Sequence, residues 1–72
     1  MKQTLIGVIQ QVPPKNFVDI GYIIVFSDIC DAVKNMQGYV DPVFIEMKIL
    51  ELERAGQLKV VKQDDLIIGV IL

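Results

Sequence analysis

Asp28 and Asp31 stand three residues apart with Cys30 between them, and Glu46 follows further on. On a helix that spacing puts two carboxylates on one face, where such a pair can move protons or hold a hard cation. A simpler account is electrostatic. Both acids fall in the opening part of an expected helix, where the positive end of the helix dipole favours negative charge. Cys30 is the only cysteine, which excludes an intramolecular disulfide and a cysteine-built metal site. No basic neighbour is suggested to hold it as a thiolate, so it reads as a small core hydrophobe. The chain has no histidine, the commonest acid–base catalyst and metal ligand. Lys15 and Tyr22 have no recognisable catalytic partner, and the glycines of GYIIVF and LIIGVIL are isolated, not spaced as in a phosphate loop. The expectation is a protein that is not an enzyme and uses no cofactor and no metal.

The chain of 72 residues allows one domain, 1–72, with one modest core. Its apolar fraction of 53% suits either a strand-rich core or a surface buried in a partner. The formal net charge is -2, far from the basic balance of a protein that grips nucleic acid unaided. Up to Val40 the charges cancel: Lys2, Lys15 and Lys34 against Asp19, Asp28 and Asp31. From Asp41 onward acids outnumber bases, so the surplus lies in the second half. Gln10, Gln11 and two prolines end the first apolar run too soon for a secretory leader, and no apolar stretch is long enough to span a bilayer. A cytoplasmic protein with no membrane partner is expected.

TLIGVIQQV (Thr4–Val12) is rich in β-branched residues and reads as a strand stopped by Pro13–Pro14. Asn16 is a candidate N-cap for a first helix using Phe17, Ile20 and Ile24, although Ile23–Phe26 reads equally well as strand. A second helix is expected from an N-cap at Ser27, with Ile29, Ala32, Val33 and Met36 at helical spacing and Gly38 as its stop. A third is expected from Asp41 as cap and Pro42 at the first position, with Ile45, Ile49 and Leu52 as core stripe and Gly56 as terminator. LKVV and LIIGVIL read as two strands joined by KQDD.

Strand, helix, helix, turn, helix, hairpin is the order of a winged helix-turn-helix domain, and Ser27–Leu72 resembles that family in more than order. Leu52, Glu53, Arg54, Ala55 and Gly56, then Leu58, Lys59, Val60 and Val61, look like the end of its third helix and its first wing strand. Ile45 and Ile49 match the upstream core positions of that helix, and Gln37–Asp41 looks like the turn. The resemblance implies a small α+β fold of three helices, a C-terminal β-hairpin and an N-terminal strand. It also implies a DNA-binding, transcription-regulator-like protein; the short chain, its 53% apolar residues and a second apolar line on the third helix lead us to expect a homodimer.

The sequence departs from that pattern on the third helix, which in DNA readers lies in the major groove and carries donors outward. Here the outward positions hold Glu46, Met47 and Leu50, with Val43 on the same side, and the hairpin tip carries Asp64 and Asp65. The candidates for phosphate contact are Lys34, Lys48, Lys59 and Lys62, spread along the chain. Val43, Met47 and Leu50 form a second apolar line, read as ordinary packing, as an interface to a second copy or another protein, or as a DNA-facing surface. The alternative function is therefore a protein-interaction or assembly module that uses the fold without DNA.

Overall fold

The computed structural model of the protein describes residues 4–72; Lys2, counted in the charge balance above, lies outside them. Helix α1 (Leu5–Gln11) comes first. Thr4 caps it, its hydroxyl accepting from the Gly7 amide at 3.2 Å. Val8, Ile9 and Val12 are buried, with Leu5 and Ile6 packed against the same core. This corrects the expected strand at Thr4–Val12. Leu5, Val8, Ile9 and Val12 recur at helical spacing, and burying that stripe outweighs the weak preference of β-branched residues for extended backbone.

The expected first helix from Asn16 is likewise corrected. Lys15–Phe17 is strand β1 and Gly21–Val25 is strand β2, paired antiparallel with Asn16 opposite Tyr22. The connecting turn is closed by the Ile20 amide donating to the Phe17 carbonyl at 3.1 Å, and it leaves through Gly21 at φ +96°. That conformation is open to glycine and strained for other residues. The second half of the stretch, already ambiguous in sequence, is strand.

Helix α2 (Phe26–Gln37) follows β2 directly. Its N-cap is Val25, with no side-chain cap bond, so Ser27 lies inside the helix and does not cap it. Asp28 sits in the first turn and pairs with Lys15 at 3.0 Å, tying β1 to the start of α2. Ile29, Cys30 and Val33 are buried and Ala32 packs beside them, whereas Met36 is exposed. Gly38 ends the helix in the left-handed conformation.

Helix α3 (Pro42–Arg54) begins as expected, the Asp41 carboxylate accepting from the Val43 amide at 3.1 Å. It ends in a complete Schellman motif: the Gly56 amide donates to Glu53 and the Gln57 amide to Leu52. Ile45 and Ile49 are buried and Leu52 is partly so.

Strands β3 (Lys59–Gln63) and β4 (Leu66–Ile71) form the hairpin. Its turn is Asp64–Asp65 alone, at φ +52° and +64°, the geometry of a two-residue type I′ turn. The sheet order is β1-β2-β4-β3. The strand that extends the hairpin is thus β2, with Ile24 opposite Val70 and Val25 opposite Gly69. Pairing between β3 and β4 jumps from Val61–Gly69 to Lys62–Ile67, which leaves Ile68 as an extra residue. The alternation of a regular strand is therefore broken along β4: Val70 is fully buried, Leu66 exposed. One core joins all three helices to the inner face of the sheet through Ile9, Ile24, Ile29, Ile49 and Val70. The α+β fold, with three helices and a C-terminal hairpin, is as the sequence predicts, and its topology is consistent with a winged-helix-like domain.

Candidate functional site

The exposed side of α3 carries three large apolar side chains among its charged residues. Ile45 and Ile49 point inward, so a helix of 3.6 residues per turn must turn Val43 and Met47 outward. They are 66% and 58% exposed. Leu50, the third member of the predicted line, is half-buried. Phe44, to which the sequence reading assigned no role, is also on the surface at 52% exposure. The signal for it was the cation four residues on: the Lys48 ammonium lies 5.4 Å from the centre of the Phe44 ring.

Phe44 lines an open groove of about 870 Å³. Leu5 and Ile6 of α1, Met36 at the end of α2, Tyr39 just beyond it, and Leu52 of α3 also line it. Met36 and Tyr39 are themselves exposed. Lys48 and Glu51 share the groove side of α3 and pair at 3.4 Å, an exposed contact worth little on its own. Phe44 therefore joins the outward apolar residues of α3 to a groove whose lining also carries Lys48, Glu51 and Asp41.

The four lysines predicted to meet phosphate are all exposed but lie on three elements: Lys34 near the end of α2, Lys48 on α3, Lys59 and Lys62 on β3. Only the last two share an element, and Lys48 already has an anionic neighbour. Glu46 and Glu53 are exposed on α3, and Asp64 and Asp65 form the hairpin tip. Any polyanion approaching α3 and the wing meets acids among the bases.

Chemistry elsewhere is sparse. A shallower depression between α1 and α2, of about 710 Å³, holds Lys15, Asp28 and Asp31, with Lys15 and Asp28 committed to each other. Burial pushes the Cys30 thiol above its ordinary range, with the nearby Asp31 carboxylate adding to the effect, so it is a poor nucleophile. Among the described residues no three histidine, cysteine or acidic side chains gather as a metal site, and no helix is long and apolar enough to cross a membrane. No protein-family model, curated protein or solved structure matches the chain.

Proposed function

We propose that this protein is a non-enzymatic association module on a winged-helix-like fold, and that it binds a protein partner through the outward face of α3. The observation that carries this reading is the composition of that face. Where a DNA reader needs donors for base edges and phosphates, α3 presents Val43, Phe44 and Met47, each more than half exposed, and Glu46. Exposed apolar area of this kind lowers free energy only when something covers it.

A second reading keeps the regulator role implied by the resemblance: duplex DNA held by Lys48 on α3 with Lys59 and Lys62 on β3. The observation favouring it is that β3 packs next to α3, so its two exposed lysines flank the same helix. Titration into labelled random-sequence duplex at low and at near-physiological salt separates the readings. The association reading expects no saturable binding. Saturable binding that weakens steeply with salt and loosens in Lys59→Gln or Lys62→Gln overturns it in favour of DNA.

A further inference from the structure

We infer that Glu53 guards the open edge of the sheet: its carboxylate keeps β3 of one copy from pairing antiparallel with β3 of a second copy, a contact that this edge is otherwise shaped to make. This role belongs to the wing and is independent of what covers α3.

Strand β3 is an outer strand in the order β1-β2-β4-β3, and among the described residues nothing pairs along its other side. Successive residues of an antiparallel strand direct their backbone groups to opposite sides. Val60 stands opposite Val70, yet its amide donates away from β4, to Glu53 at 2.8 Å, so Val60 is an outward position. The extra residue of the bulge lies in β4, so alternation along β3 is unbroken and Lys62 is the next outward position. One side chain from the last turn of α3 thus holds one of the two outward amides of this edge.

A second β3 laid antiparallel about a two-fold axis at Val61 sets Val60 opposite Lys62 of its twin, and Lys62 opposite Val60. Each such pair exchanges two backbone hydrogen bonds. The same register places Val61 against Val61 and Lys59 against Gln63, so no lysine meets a lysine. Centring on Val60 runs Lys62 past the end of the partner strand, opposite Leu58, and centring on Lys62 sets two lysines face to face. Lysines commonly close a sheet edge, but in the register at Val61 they leave this one open. That register needs the Val60 amide. With Glu53 in place, the incoming Lys62 carbonyl finds the amide taken and meets a carboxylate on the side from which the strand must come. Pairing would have to expel that charge from its donor.

A disulfide reads this contact on the full chain. Val61→Cys is made in Cys30→Ala, with Glu53 kept or changed to Ala, and oxidised by copper phenanthroline; circular dichroism confirms folding. Two cysteines directly opposite at a position without inter-chain ladder bonds have Cα atoms about 4.5 Å apart, within disulfide reach. Lys59→Cys is the control, about 13 Å from its twin in this register. The Glu53→Ala chain is expected to link through Val61→Cys about ten-fold faster than the chain with Glu53, because each copy regains a donor. Lys59→Cys should link slowly in both, and Glu53→Gln, which keeps an acceptor, should fall between. Glu53→Asp, whose carboxylate is one carbon shorter in reach, gives the same reading if the alanine variant does not fold. Equal linking with and without Glu53 overturns the inference. So does an absence of linking when Glu53 is removed or shortened, or linking of Lys59→Cys as fast as Val61→Cys.

Discussion

The Glu53 carboxylate accepts a hydrogen bond from the Val60 backbone amide at 2.8 Å. Glu53 lies in the last turn of α3 and Val60 in β3, the edge strand, so one side chain both ties the wing to the helix and occupies an edge amide that would otherwise be free to pair with another chain. Glu53→Ala should lower stability by about 1 kcal/mol, since the bond is exposed although its acceptor is charged. Glu53→Gln keeps an acceptor and should fall between the two. Urea unfolding of the three proteins measures this, and amide exchange at Val60 should accelerate selectively in the alanine variant.

Gly69 of β4 lies against the β2 backbone, opposite Val25. A methyl group there would fall on the Ile24 carbonyl oxygen and within 3.1 Å of the Ile23 Cδ1 atom. The first of these is backbone in a paired strand, so the sheet itself must shift. Gly69→Ala should destabilise by about 1–3 kcal/mol, the range for overpacking, and lower Tm by several degrees in a domain of this size. Thermal unfolding followed by circular dichroism is the check.

The hairpin turn offers a stabilising change. Asp64 and Asp65 both hold positive φ, which Asn-Gly adopts more readily than Asp-Asp, and their like charges are adjacent. The double substitution Asp64→Asn, Asp65→Gly should raise stability by about 0.5–1 kcal/mol. An unchanged or lower Tm would contradict the type I′ assignment.

Cys30 gives a pH prediction. Its folded pKa is raised above the ordinary 9.0, by burial first and the Asp31 charge second. The folded state therefore holds the proton more tightly than the unfolded state. The contribution is fully present below the unfolded pKa and is lost as pH rises toward and through the folded one. Stability should decline above about pH 9, less steeply in Cys30→Ala than in wild type. The difference between the two urea-unfolding profiles isolates the contribution of the thiol. A thiol reagent should also label native Cys30 far more slowly than the urea-unfolded chain.

The elements read correctly from sequence are those whose limits are set by neighbouring residues. Asp41 and Pro42 start α3, Ile45 and Ile49 give it an inside, and Gly56 stops it through a motif that needs only local backbone geometry. The hairpin is local in the same sense, though its turn proved to be two residues and its alternation is broken at Ile68. The outward direction of Val43 and Met47 follows from the same 3.6-residue period.

The N-terminal third was decided by tertiary contacts. Thr4–Val12 carries a β-like composition and a helical spacing at once, and the spacing prevailed because α1 can bury Val8, Ile9 and Val12 against α2 and α3. Phe17–Val25 could not be assigned from its own residues. The partners that make Ile24 and Val25 a strand are Val70 and Gly69, far along the chain, and such pairing leaves no mark in a short window. A helix wheel gives direction but not what lies beside the helix, so the half-burial of Leu50 was not legible in the sequence. The groove is the clearest case. Its walls come from α1, from the end of α2 and from α3, three segments whose residues look unremarkable in order and become a site only when the core brings them together.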